Sequence, residues 1–122
     1  MENELIPVTE QGKLWAIASH ASPLLGLPVW IVPLVLRDDA FALYHAKQAG
    51  VVGIGFFVSF FVIMAFSVVT CGIGTFFLPL LLVWWIPGIL GVISALNGKC
   101  EPIPVLGAFA DRFFGGIQLK GT

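Results

Sequence analysis

Charge is what this sequence lacks. No Asp, Glu, Lys or Arg occurs between Gln48 and Gly98, and charged residues make up only 11% of the chain, against roughly 25% in soluble domains. About 20 predominantly apolar residues suffice for a membrane-spanning helix, because backbone within lipid must satisfy its own hydrogen bonds. An uncharged run of this length therefore predicts two spans joined by a tight turn.

Other absences exclude classes of function. A net charge of −1 provides no basic surface for nucleic acid. The chain has no GxSxG, HExxH, P-loop or dinucleotide-binding pattern. Its two cysteines, Cys71 and Cys100, flank one predicted span, so they cannot form a disulfide, which needs Cα atoms within about 7 Å. We therefore expect a protein that is not an enzyme and has no metal site.

The apolar pattern predicts a single helical membrane domain over residues 1–122. Its parts are a polar tail at 1–12, membrane segments at 14–36, 48–69 and 76–96, and a helix at 105–114. The last is amphipathic and is expected to lie in the membrane interface. The predicted fold class is thus all-α integral membrane, with about three transmembrane helices, the first kinked or re-entrant.

The first apolar segment permits two interpretations. It contains Gly26 and the helix-breaking residues Pro23, Pro28 and Pro33. It could cross once as a kinked span, or turn near Gly26 and return as a re-entrant half-span. We favour three crossings, because the pieces on either side of Gly26 are too short to cross separately. The acidic start of the chain and the length of this segment differ from those of a secretory signal, so we expect the segment to be retained.

Basic residues orient the domain in both interpretations, because Lys and Arg collect on the cytoplasmic side. Three crossings leave Lys13 alone on the far face, whereas a re-entrant segment places all six basic residues on one face. Either way, the polar stretch 37–48 and the C-terminus are expected in the cytoplasm.

Small residues at helical spacing predict close helix packing. They are Ala46, Gly50 and Gly53 in the second segment, and Gly88, Gly91 and Ala95 in the third. We expect them to pack against another helix of this chain or of a second copy. On that hypothesis, replacements such as Gly53→Leu or Gly91→Leu would break the assembly.

Six polar residues near or within the apolar segments are candidates for function, because ionisable groups at membrane depth are costly. They are His20, Arg37, Asp38, Asp39, His45 and Lys47. Each also has a structural interpretation. Pro23 would free a backbone carbonyl for His20 to bond, and an aspartate could cap the helix that begins near Ala40. Asp38 or Asp39 could also orient His45, while the Lys47 side chain extends outward.

Histidine is also an ordinary axial ligand for haem. A haem or chlorophyll contact through His20 or His45 is therefore a further alternative, and no other cofactor is predicted. In the three-crossing arrangement the two rings lie near opposite faces, so one cofactor could not be held by both. Only the re-entrant arrangement would bring them close together.

Several short motifs point to a known family. They are Trp15-Ala16-Ile17-Ala18-Ser19-His20, Pro23, Gly26, Pro33-Leu34, His45-Ala46-Lys47-Gln48-Ala49, Gly98-Lys99 and Ile103-Pro104-Val105-Leu106-Gly107. With these the chain resembles the small bacterial membrane family often called Tic-twenty-like, which includes proteins of unknown function and the magnetosome proteins MamF and MmsF. The resemblance covers most of residues 13–114 and implies a helical integral membrane protein. It associates the magnetosome branch with crystal growth and the chloroplast relatives with a translocation pore.

These observations favour a non-enzymatic membrane subunit with a scaffolding or assembly role in a homo-oligomer or larger complex. Its partners would be the lipid bilayer and other membrane subunits or copies of itself. Its location would be the bacterial inner membrane or a compartment derived from it. The alternatives are a pore or translocation component, a magnetosome-type membrane protein, and an accessory subunit that contacts a pigment or haem.

Overall fold

A computed structural model describes residues 8–100, 102–103 and 106–119, and the regular elements within these ranges are all helical. In chain order they are α1 (Glu10–Ala21), a 3-10 turn (Ser22–Leu25), α2 (Ile31–Leu36), α3 (Ala40–Val69), a 3-10 segment (Ile73–Trp84), α4 (Trp85–Leu96) and α5 (Gly107–Phe114). Positions 1–7 of the predicted tail and position 105 of the predicted interfacial helix lie outside the described residues.

Two helical stretches are long and apolar enough to cross a membrane: Ala40–Val69 and Ile73–Leu96. A core helix of a soluble protein would bury such side chains, but Val69 is 80% exposed and Phe76 is 83% exposed. This exposed apolar surface is suited to lipid, the medium in which apolar side chains have no cost of exposure. The protein is therefore a helical membrane protein with two membrane-capable helices.

Both ends of α3 follow from local chemistry. Asp39 is the N-cap, and its carboxylate accepts a hydrogen bond from the Ala42 amide at 2.9 Å, as predicted for an aspartate before Ala40. At the other end, Gly72 has a φ of 96°, a left-handed conformation that glycine adopts without steric cost. Its amide donates to the Ser67 carbonyl at 2.7 Å. The chain therefore reverses within a few residues, and the tight turn predicted between the second and third segments is confirmed.

The third segment changes its helix type at the two tryptophans. It has 3-10 geometry over Ile73–Trp84 and becomes α-helical at Trp85. Pro87 lies just inside the start of α4, where its missing amide hydrogen removes little from the helical ladder. Trp84 lies over Gly55, and its indole nitrogen donates to the Ser59 hydroxyl at 3.1 Å. The mid-span position of Trp84 is thus explained by packing within this chain.

The first apolar segment turns back on itself, and the single kinked span that we favoured is not the arrangement found. Thr9, which caps α1, donates its hydroxyl hydrogen to the Asp39 carboxylate at 2.7 Å. Because Asp39 begins α3, the start of α1 lies at the same end of the molecule as the end of α2. Gly26, with a φ of 77°, ends the 3-10 turn between them. The physical reason is that Pro23 and Pro28 interrupt the helix before it is long enough to cross.

The small residues of α3 and α4 pack against the re-entrant segment of the same chain. A Cβ atom added at Gly53 would lie 2.5 Å from the indole nitrogen of Trp30, and one at Gly88 would lie 2.6 Å from Leu24. Ala46 belongs to the same buried cluster as Trp30, and Ala95 is also buried. These residues therefore let α1 and α2 approach the hairpin formed by α3 and α4.

Candidate functional site

A pair of buried histidines lies where α1, α3 and α4 meet. The Nε2 atom of His20 is 2.8 Å from the Nδ1 atom of His45, and each residue is only 1% exposed. The ring centroids are 5.0 Å apart in an edge-to-face arrangement. The re-entrant course of the first segment is what brings the two rings together. We refer to His20 and His45 as the histidine pair.

The hydrogen bonds fix which ring nitrogens carry hydrogen. A backbone carbonyl can only accept, so the Nε2 atom of His45 donates to the carbonyl of Lys99, at 2.6 Å. Neutral His45 then has a bare Nδ1 atom, which accepts from the Nε2 hydrogen of His20. The Nδ1 atom of His20 is thereby left as a bare lone pair, buried and without a partner among the described residues. The hydrogen bonds therefore run in one direction, from His20 to His45 and from His45 to the Lys99 carbonyl.

Small and aromatic neighbours hold the two rings. The Nδ1 edge of His20 lies against Gly91, and a Cβ atom at that position would overlap the ring. His45 packs against Phe41, with centroids 4.6 Å apart, and against Tyr44 at 5.3 Å. Both imidazoles are therefore fixed by packing as well as by hydrogen bonds.

The surroundings of the pair favour neutral imidazole. Burial, and after it the neighbouring His45 ring, lowers the pKa of His20 well below its ordinary value. Within the described part of the chain, neither ring is hydrogen-bonded to a carboxylate that would favour the charged form. The pair can therefore cross-link three segments through neutral groups, without placing a charge in the protein interior.

The predicted polar residues divide into two groups. His20 and His45 come together, but neither aspartate orients His45, because the carboxylate of Asp39 accepts hydrogen bonds from Ala42 and Thr9.

Asp38 is exposed on the connection before α3. Arg37 ends α2 with a φ of 53°, and its guanidinium donates to the Gln118 carbonyl at 3.3 Å. Lys47 is half-buried in α3, and the carboxylate of Asp111 on α5 is a charged neighbour of its ammonium group.

The carbonyl freed by Pro23 has a different partner from the predicted one. Pro23 has no amide hydrogen to donate to Ser19, and the Ser22 hydroxyl bonds that carbonyl at 3.1 Å. His20 is thereby available to His45. The Ser19 hydroxyl and the Trp30 indole nitrogen are buried without a hydrogen-bond partner among the described residues.

The third member of the site, the Lys99 carbonyl, was not predicted. The Ser94 hydroxyl of α4 also donates to this oxygen, at 3.1 Å, so the Lys99 carbonyl accepts hydrogen bonds from both α3 and α4. No sequence signal identifies a backbone oxygen as a ligand, because every residue has one. Gly91 was noted as a packing residue, but its contact with His20 depends on the re-entrant segment.

Most ring nitrogens of the histidine pair already have hydrogen-bond partners within the chain. No group of three or more His, Cys, Asp or Glu side chains in the described segments could hold a metal ion. Both nitrogens of His45 and one nitrogen of His20 are engaged, and the remaining nitrogen faces Gly91. Axial ligation would therefore require these hydrogen bonds or this packing to open. Cys71 and Cys100 are both free, in agreement with the prediction that they do not pair.

Comparison with known proteins gives a family match. Residues 11–110 match the model of the MamF_MmsF family, which is described as the magnetosome magnetite crystal formation protein family. The matched range includes the histidine pair and both membrane-capable helices. No curated protein and no solved structure matches the chain.

Proposed function

Because the chain belongs to the magnetosome magnetite crystal formation protein family, we propose that it is a non-enzymatic integral protein of the magnetosome membrane with a scaffolding or assembly role. The family match over residues 11–110 is the observation that carries this proposal. The exposed apolar surfaces of Ala40–Val69 and Ile73–Leu96 support the membrane location.

The use of the polar side chains supports a scaffold rather than an enzyme. His20 and His45 bond each other, Asp39 and Thr9 join α1 to α3, and Trp84 joins Ser59. Each of these bonds links two segments of the chain, and the histidine rings are closed off from solvent. Groups that bind or transform a substrate are instead expected in an accessible cleft.

On this proposal, partners would bind to the face of the hairpin that α1 and α2 do not cover. Phe61 on α3 is 65% exposed and Phe76 on the 3-10 segment is 83% exposed. The small residues are already used within the chain, so a homo-oligomer or larger complex would form through these bulky side chains. Aromatic anchors of this kind are common in the centres of protein interfaces.

The charged end of the molecule is assigned to the cytoplasm of the inner membrane or of a compartment derived from it. Lys13, Arg37, Lys47, Lys99 and Arg112 belong to segments that meet at this end, whereas the Thr70–Thr75 turn has no charged residue. The positive-inside rule supports this orientation, with α5 in the cytoplasmic interface. The basic residue at position 120 lies outside the described residues.

Cysteine labelling tests this topology. Cys71 is exposed in the distal turn, and Gln11 and Gln118 are exposed at the charged end. We expect a membrane-impermeant maleimide to label Cys71 only from the far side. In a Cys71→Ser background, Gln11→Cys and Gln118→Cys should both be labelled only from the cytoplasmic side. A three-crossing chain would give the opposite result for Gln11→Cys, which would share the side of Cys71.

Removal of the protein from a magnetite-forming host tests the function. We expect fewer or smaller magnetite crystals by electron microscopy, with recovery when the wild-type chain is restored. Gly116→Ala should restore them equally, because a Cβ atom there meets open space. A fluorescent fusion should co-localise with the magnetosomes. Unchanged crystals, together with an even distribution over the other membranes, would refute the proposal.

The wider Tic-twenty-like relationship is also a proposal, supported by the motif His45-Ala46-Lys47. On this relationship, one alternative function is a pore or translocation component. A second alternative is an accessory subunit that contacts a pigment or haem. For either histidine to contact a pigment, a haem or a substrate, a hydrogen bond of the pair or the packing of His20 against Gly91 would have to open.

A further inference from the structure

Residues 25–29, which we call the tip, form the point at which the re-entrant segment turns back, and their backbone is poorly bonded. Residues 26–30 connect the 3-10 turn to α2 and belong to no helix. Among the described residues, the carbonyls of Gly26 and Leu27 accept no backbone hydrogen bond, and the amide of Val29 donates none. Pro28 has no amide hydrogen to donate. The tip therefore has free backbone acceptors and a free donor.

The contacts of the re-entrant segment place the tip near the centre of the bilayer. Leu24 immediately precedes the tip and packs against Gly88, where an added Cβ atom would lie 2.6 Å from the leucine side chain. Gly88 comes ten residues before Gly98, the last residue of the uncharged run. At a rise of 1.5 Å per helical residue, that separation is about 15 Å. Half of a hydrocarbon core roughly 30 Å thick has the same length, so no bulk water reaches the tip backbone.

The tip is not covered by the rest of this chain. Leu25 is 73% exposed, Leu27 is 50% exposed, and Pro28 is also exposed. Irregular backbone at membrane depth occurs where protein covers it or where it lines a water-filled cavity. The exposed side chains of the tip are apolar, and their contact with water is unfavourable. The expected cover is therefore a protein surface that supplies a hydrogen-bond donor to the free carbonyls.

The helix α4 has such a donor at the depth of the tip. Trp85 lies three residues, about one helical turn, before Gly88, and it is 39% exposed. Its indole nitrogen donates to no group among the described residues, whereas the indole nitrogen of Trp84 donates to Ser59. A tryptophan N–H group within hydrocarbon needs an acceptor, as the tip carbonyls need a donor. The chain thus has complementary unpaired groups at one level of the membrane.

We propose that a second copy of this chain covers the tip, with the Trp85 indole of each copy donating to the Gly26 or Leu27 carbonyl of the other. The basic residues orient every copy in the same direction. Each group therefore keeps its depth in a dimer whose two-fold axis is parallel to the membrane normal, and the contact occurs twice. The proposal rests on the homo-oligomer of the proposed function, and it adds a second surface to that of Phe61 and Phe76.

Photo-crosslinking in bacterial inner membranes identifies the neighbour of the tip. Two full-length copies with different epitope tags are co-expressed, and one of them has benzoylphenylalanine in place of Leu27. We expect an adduct with the other copy, which mass spectrometry should map to the segment around Trp85. In the matched control, benzoylphenylalanine replaces Val69, which is 80% exposed beside the distal turn, and no adduct should form at Trp85.

The other possible neighbours of the tip would each overturn the proposal. They would be detected as an adduct with lipid alone, with a different protein, or only within the labelled chain. In a Cys71→Ser background, reaction of Leu27→Cys with a membrane-impermeant maleimide would show a water-filled cavity instead. These measurements do not depend on magnetite crystals, so failure of the contact is distinguishable from failure of the magnetosome role.

The hydrogen bond itself is tested by Trp85→Phe, which keeps an aromatic ring but removes the N–H donor. Because the dimer loses two hydrogen bonds, we expect its dissociation constant in mild detergent to rise about tenfold, as measured by analytical ultracentrifugation. Trp15→Phe makes the same change in α1, nine residues before Leu24 and therefore about 14 Å from its level. This control should dimerise like wild type. Equal dissociation constants for Trp85→Phe and Trp15→Phe would overturn the proposal.

Discussion

Gly91→Leu should disrupt the packing of the re-entrant segment against the hairpin and lower the stability of the protein. A Cβ atom at Gly91 overlaps the His20 ring, and a leucine side chain is larger still. Either α1 moves away from α4 or His20 leaves its place, and in both cases the bond to His45 breaks. Overpacking typically costs about 1–3 kcal/mol, and a buried polar group left unpaired costs about 1–3 kcal/mol more.

The measurement is the thermal midpoint in detergent at several protein concentrations. Gly116→Leu is the control, because the space around Gly116 is open. Since Gly91 packs within one chain, the loss in Gly91→Leu should not depend on concentration, whereas an intersubunit contact would make it concentration-dependent. The double variant His20→Ala/Gly91→Leu should recover part of the loss, because a smaller residue faces a larger one. A midpoint equal to that of Gly116→Leu would show that the two residues do not meet.

Acid should destabilise the protein through His20. Burial holds the folded pKa of His20 far below its ordinary value of 6.5, so the unfolded state binds a proton that the folded state does not. The contribution of this group is therefore fully present above about pH 6.5 and is lost as the pH falls below that value. One proton corresponds to about 1.4 kcal/mol per pH unit.

No carboxylate among the described residues offsets this effect by stabilising the charged ring. Lys13 and Glu10 lie towards the exposed start of α1, and Lys47 lies on α3 near Asp111 rather than bonded to the ring. The free energy of unfolding in detergent should therefore decline between pH 6.5 and 4.5, as followed by urea titration at each pH. His20→Gln can still donate a hydrogen bond to His45 but cannot titrate. The free energy of unfolding of this variant should therefore fall less steeply with decreasing pH, by the contribution of about one proton. Equal slopes for wild type and His20→Gln would contradict the burial of a neutral ring.

Much of the hairpin could be predicted from sequence because its signals are local. The uncharged run from Gln48 to Gly98 required two spans, and Gly72 allowed a tight turn between them. Asp39 marked the beginning of α3 through a bond to an amide three residues on. Capping bonds and helix ladders connect residues within about one turn, so such features can be read directly from short windows of sequence.

The residues of the candidate site could be predicted from sequence, but their arrangement could not. His20 and His45 are evident as polar residues in an apolar chain, but their pairing depends on the path taken after Gly26. Charge placement permitted both paths. The preference for three crossings rested on segment length, whereas the hydrogen bond from Thr9 to Asp39 places the start of α1 at the end of the molecule where α3 begins.

The amino-acid sequence by itself determined the medium, the helical class and the ends of the main hairpin. Tertiary structure alone decided that the first segment returns, that Trp30 fills the space above Gly53, and that His20 meets His45 against Gly91. The reason is physical: prolines and glycines determine where a helix must stop, but the direction that follows depends on contacts between residues distant in the chain. Those contacts exist only once the hairpin has formed the surface against which α1 and α2 pack.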